Sequence, residues 1–122
     1  FEKSYEFGEY VGLGVLKGNI QKIPNVGKNN TMHKIPHIGW NKNILKNHDS
    51  NILKNFSDGT ATYFVHSYMA NVETPSDTIA ICDYNGIEIV SIVQHNNSFG
   101  CQFHPEKSGE NGLKLLTNFS NL

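Results

Sequence analysis

The 122-residue chain has no arginine; its ten basic residues are all lysine, set against eleven acidic ones, for a formal charge of −1. No basic stripe forms along it, so a phosphate-neutralising surface for nucleic acid is disfavoured. The lysine bias, with frequent asparagine, reads as the mark of an AT-rich genome. Cysteine is scarce: Cys82 and Cys101 are too few for a disulfide framework or a zinc set, and a reducing cytoplasm is the default. No apolar run approaches the ~20 residues of a membrane helix. The first residues, FEKSYEFGEY, carry no secretory signal. The expectation is a cytoplasmic protein with neither a membrane nor a nucleic-acid partner. An initiator methionine is also lacking, so a fragment or processed piece is expected. The length suits one domain, and no linker interrupts it.

Local signals then divide the chain. FEKSYEFG reads as the tail of a helix stopped at Gly8. Val11 to Ile23, VGLGVLKGNIQKI, predicts strands with close backbone approach at the glycines. PNVGKNNTMH is a polar loop, and KIPHIGWN an extended segment or turn. The Leu/Ile spacing over 43–55 permits a short helix or two, ended by a turn at Asp58–Gly59. TATYFVHSYMA, Thr60 to Ala70, has the β-branched and aromatic bias of a strand. TIAICDY and IEIVSIVQ flank Asn85–Gly86, a strong hairpin signal. At the end, Leu113, Leu116, Phe119 and Leu122 recur at steps of three, one face of a closing helix with Ser108 at its N-cap. The pattern is a β-meander followed by a helix.

The chemistry-bearing stretch is GCQFHPEKSGENG, residues 100–112. His104 and Glu106 stand two apart at a strand end, with Pro105 setting the turn: a base and a carboxylate to orient it. The nucleophile is the open question. Strand alternation puts Cys101 and Phe103 on one side, Gln102 and His104 on the other. Cys101 is thus expected to be a small buried hydrophobe out of the ~3 Å reach of base catalysis, and Cys82 to be structural. A metal site is not expected. His33 and His37 are separated by helix-breaking Pro36, and His104 with Glu106 makes two ligands where a catalytic zinc needs three.

GCQFHPEKSGENGLKLLTNF resembles the C-terminal signature of the class I (triad) glutamine amidotransferases, in which a strand delivers His-Pro-Glu to the active site. Lys107–Ser108 and the Gly109 to Phe119 helix are narrower, as are PHIGWN (36–41) and YFVHSY (63–68). Together they resemble the glutaminase subunit of imidazole glycerol phosphate synthase, over the whole length and in order. The resemblance implies an α/β fold: the C-terminal portion, residues 1–122, of a flavodoxin-like amidotransferase domain. In that family the nucleophilic cysteine sits on a G-x-C-x-G-x-Q elbow. Phe1 aligns just past it, so the missing thiol is expected a few residues upstream.

What the resemblance implies for function is glutamine hydrolysis, with ammonia passed to a (β/α)8-barrel cyclase subunit for histidine biosynthesis. His104 is then the base and Glu106 its orienting acid. Ser67 and Tyr68 match positions lining the glutamine site, the other reading being a strand end satisfying its own hydrogen bonds. Trp40 and Lys107 match the partner interface, the other reading being a half-buried tryptophan and a solvated lysine. His66 is expected to be a packed strand histidine. No metal and no organic cofactor are implied. Two rivals stay open: a paralogue supplying ammonia for surface-sugar modification, and a non-catalytic scaffold.

Overall fold

In the computed structural model, which describes residues 1–122, ten strands precede one α-helix. The strands are β1 (Lys3–Ser4), β2 (Tyr10–Val11), β3 (Gly18–Lys22), β4 (His37–Lys42), β5 (Ile44–Leu45), β6 (Ala61–His66), β7 (Tyr68–Val72), β8 (Thr78–Tyr84), β9 (Ile87–His95) and β10 (Ser98–Cys101); α1 is Gly109–Ser120. They form sheets β10-β9-β8-β5 and β2-β1-β3-β7 and the pair β4-β6. Asn85 and Gly86 take φ of 53° and 79°, the left-handed pair that a two-residue hairpin needs, and β8 and β9 extend from them as read from sequence. TATYFVHSYMA is divided at Ser67 into β6 and β7. No helix is long and apolar enough to cross a membrane.

The close backbone approach expected at the glycines is present. A Cβ on Gly12 would stand 2.2 Å from the Phe1 carbonyl oxygen, and one on Gly18 2.0 Å from that of Asn71. Two other expectations fail. FEKSYEFG is not a helix tail: β1 and β2 pair antiparallel around a turn where Phe7 (φ 58°) and Gly8 (φ 138°) reverse the chain. A stretch this short gains too few helical bonds to repay nucleation, and pairing of β1 with β3 offers better.

Residues 43–55 form β5 and a 3-10 turn at Asn51–Leu53 rather than α-helix. Side chains have captured the backbone there. Asn43 Nδ2 donates to Thr60 O and Thr62 Oγ1 (2.9 and 2.8 Å), and the Leu45 N–H donates to Asp58 Oδ1 (2.7 Å). Finally, α1 forms, but its packed face is Gly112 and Leu115. The Leu113, Leu116, Phe119 and Leu122 stripe is 41–62% exposed, because the tight approach of Gly112 to Pro105 chooses the other side.

The core is one cluster that includes Phe56, Phe64, Ile79, Ile89, Ile92, Phe103 and Leu115. It ties α1 and β6 to the β8–β9 hairpin. β10 lies at the outside of its sheet, so one of its edges is open at the point where the chain enters QFHPE.

Candidate active site

The placement of His104 begins with Phe103. That ring is buried, 5.6 Å from Phe64 and 6.5 Å from Phe56 between centroids. β10 ends at Cys101 and residues 102–103 bend, so strand alternation lapses. Phe103 turns into the core while Cys101 is exposed. The expectation that Cys101 is buried is overturned: it lies at the exposed margin of an apolar surface lined by Ile92, Leu115 and Phe119.

Backbone bonds then hold the histidine. The His104 N–H donates to Tyr63 O (2.9 Å), while Ser108 Oγ accepts from the Tyr63 N–H (3.0 Å) and donates to His104 O (2.6 Å). Ser108 occupies the N-cap position as expected but makes no side-chain cap bond. Its hydroxyl instead locks the turn Pro105–Lys107 to β6. Sequence reading missed this role, and it also missed Gly112, whose place inside a helix was the available signal.

A Cβ on Gly112 would stand 1.8 Å from the Pro105 carbonyl oxygen. In an open helix Gly→Ala stabilises by up to about 1 kcal/mol. Here Gly112→Ala is expected to destabilise by about 1–3 kcal/mol, the cost of overpacking. Urea midpoints check the sign; a more stable variant would show that the approach can relax.

His104 Nδ1 lies 2.9 Å from Glu106 Oε1, with side chains 40% and 58% exposed. The carboxylate accepts, so Nδ1 carries the proton and Nε2 presents its lone pair. Nε2 has no hydrogen-bond partner within the chain. Glu106's own backbone N–H, and then the bond and charge of His104, hold its carboxyl below the ordinary range. The pair is a base with a fixed tautomer, open to solvent. It has no thiol beside it: neither cysteine hydrogen-bonds to His104. Burial, then the charge of Asp83, pushes Cys82 up to about 12. Packed atoms around its sulfur, then the charge of Glu106, push Cys101 to about 11 although that residue is exposed overall. Neither yields a thiolate near neutrality.

The other sequence candidates fall in two places. Trp40 is exposed, paired across the β4–β6 ladder with Tyr63, and its Cη2 would be 4.0 Å from a Cβ on Gly109. It therefore shares the α1 N-terminal surface with exposed Lys107. Ser67 and Tyr68 lie at the far end of β6, four residues from Tyr63, or ~13 Å along an extended strand. Ser67 O accepts from the Ile23 N–H (2.9 Å), and Tyr68 O accepts from His66 Nδ1 (2.7 Å). Both carbonyls are satisfied within the chain, and neither residue hydrogen-bonds to His104.

His66 is a packed strand histidine, as read, with His37 Nδ1 2.9 Å from its Nε2. Burial first, then His66 and His33, lower His37 to about 4 from 6.5. The folded state thus holds it neutral while the unfolded chain protonates near 6.5. Its contribution is whole above 6.5 and is lost as pH falls towards 4. Stability should drop by about 2 kcal/mol over that window, read from urea midpoints at successive pH values. His37→Phe should flatten the slope; an unchanged slope would assign the loss elsewhere.

The family model described as glutamine amidotransferase class-I matches residues 4–121. Imidazole glycerol phosphate synthase subunit HisH of Caldanaerobacter subterraneus subsp. tengcongensis is 47% identical over 122 residues, covering 100% of this chain and 56% of that one. The HisH of Aquifex aeolicus is 48% identical over 119 residues (98% and 54%), and HisH 1 of Legionella pneumophila strain Lens 42% over 121 (96% and 57%). The chain thus spans little more than half the length of these curated relatives. Among solved structures, PurLQS from Thermotoga maritima superposes with a TM-score of 0.68 at 22% identity, over 89% of this chain and 54% of that one; this likeness concerns the fold alone. With His-Pro-Glu placed at a strand end and the family model spanning nearly every residue, the chain belongs to the class-I glutamine amidotransferases.

Proposed function

We propose that residues 1–122 are the C-terminal portion of a glutaminase domain that supplies ammonia to the cyclase subunit of imidazole glycerol phosphate synthase, in histidine biosynthesis. The observation that carries this reading is the His104–Glu106 pair, 2.9 Å apart, with a free Nε2, in the segment that follows β10, an outer strand with one open edge. Such an edge accepts a further strand, and a strand ending in a thiol there would complete a triad. The relatives reported above all carry the name of this synthase, which favours histidine biosynthesis over sugar modification.

The chemistry follows from the geometry. His104 Nε2 takes the proton of the incoming thiol, and the thiolate attacks the side-chain amide carbon of glutamine. Glu106 holds the Nδ1–H and stabilises the imidazolium. The tetrahedral species collapses as the C–N bond breaks; His104 returns the proton to nitrogen and ammonia leaves. Water, deprotonated by the same Nε2, cleaves the glutamyl thioester, releasing glutamate and restoring the thiol. Trp40 and Lys107 are offered as the contact to a barrel-shaped cyclase, an aromatic anchor beside a cation. Ser67 and Tyr68 are offered as the glutamine end of the site, and the cytoplasm as the compartment, in keeping with two free cysteines.

The 122-residue chain by itself is expected to release no ammonia from glutamine. Mixed with a segment bearing the cysteine elbow, it should gain activity that His104→Ala removes. Ammonia release by the chain alone, sensitive to His104→Ala, would instead make Cys101 the nucleophile.

A further inference from the structure

PHIGWN and YFVHSY each place a histidine that the proposed reaction does not use, and the fold brings the two together. His37 and His66 sit opposite one another in the β4–β6 ladder. His37 is buried, stacked between Phe64 (4.9 Å) and Tyr84 (4.1 Å). Its neighbours leave one consistent set of protons. Tyr68 O only accepts, so His66 Nδ1, 2.7 Å away, carries a hydrogen. In a neutral ring His66 Nε2 is then an acceptor, and His37 Nδ1 at 2.9 Å must donate to it. His37 Nε2 accepts in turn from Asn41 Nδ2 at 3.4 Å, and that amide also donates to Asp83 O at 2.8 Å.

We infer that Asn41, His37 and His66 form a one-way hydrogen-bond relay that fixes the main chain at Tyr68, making both histidines positioning residues. Every ring nitrogen in the relay is engaged. Neither histidine therefore has a lone pair to offer an incoming thiol, and His104 keeps the role of base without a competitor. The bearing on glutamine rests on the reading of Tyr68 given above; the relay itself does not. Burial, opposed by the Tyr68 bond, lowers His66 as well, so both rings stay neutral at neutral pH. The other titratable groups on the elements around the pair are His33 and Lys34 before β4, and Lys42 on β4. Tyr63 on β6, Tyr68 on β7, Cys82, Asp83 and Tyr84 on β8, and Lys22 on β3 complete the set. Two histidines protonated at once would face each other with a hydrogen on every nitrogen, which breaks the relay in acid.

Nitrogen-15 imidazole NMR on the 122-residue chain tests this without any substrate, so its failure and that of the glutaminase reading are seen separately. At pH 7 both His37 and His66 should show the Nδ1–H tautomer. His66→Leu should move the Tyr68 carbonyl resonance and speed amide exchange over Ser67–Met69 about tenfold, the effect of one neutral hydrogen bond. His66→Asn, whose side-chain N–H stands near the former Nδ1, should restore the Tyr68 resonance. Asn41→Ala, a milder change at a half-exposed site, should shift the His37 Nε2 resonance and leave the ring in its Nδ1–H tautomer, because His66 Nε2 still requires a donor. An Nε2–H form of either wild-type ring, or His66→Asn behaving as His66→Leu does, would overturn the inference.

Discussion

His104→Ala is expected to lower glutamine hydrolysis about 10⁴-fold in the enzyme assembled with its thiol-bearing segment, the full worth of a positioned base and acid. In the proposed mechanism the same nitrogen serves twice, first taking the thiol proton and later giving it to the leaving nitrogen, so no second group inside the chain would substitute for it. Glu106→Gln should cost less, about 10²-fold. Its carboxylate is well exposed, and water can take over part of its hydrogen bond to Nδ1. The ordering is the informative part of the measurement. Ammonia release within tenfold of wild type for His104→Ala would remove this pair from the mechanism. Equal losses for both variants would mean that the Glu106 charge is as indispensable as the imidazole and that water cannot replace any part of its role.

Phe64→Ala is the core change with the largest expected effect, about 3–5 kcal/mol. Phe64 has no exposed surface and touches three sets of neighbours: Phe103, His37 and His66. Against the 5–15 kcal/mol that stabilises a typical domain, the loss is a large share. It should also loosen Phe103, the residue that aims His104 outward, so the variant would fall in stability and in activity together. Phe64→Leu, which keeps most of the volume, should cost under about 1.5 kcal/mol. Urea midpoints decide; a loss below about 1 kcal/mol for Phe64→Ala would show that the cavity closes and that Phe103 does not depend on this ring.

The residues most legible in sequence were those whose conformation depends on immediate neighbours. Asn85–Gly86 sets its hairpin because two successive left-handed residues suit few other pairs. His104 and Glu106 meet because one 3-10 turn spans the spacing of two. The stretches that misled were those with equal local claims to two structures. FEKSYEFG has a helix-stop glycine that serves a turn, and 43–55 has helical spacing that asparagine and aspartate side chains divert. The α1 stripe was correct as a helix signal, though periodicity alone did not say which face packs, since four exposed apolar side chains satisfy the period as well as four buried ones would.

Cys101 shows the same division at the site. A small apolar residue near a strand end reads as buried from its neighbours, yet Cys101 is exposed because nothing packs over the margin where the ladder to β9 ends, while Phe103 fills the core. Short-range chemistry written in the residues therefore specified the His-Pro-Glu turn, its tautomer and the family. Contacts between distant segments supplied what no window of sequence contains. The Ser108 clasp on Tyr63 spans 45 positions and the His37–His66 pair 29. The physical reason is that a turn is decided by the torsions of a few adjacent residues, whereas a packed face is decided by whichever partner arrives across the core.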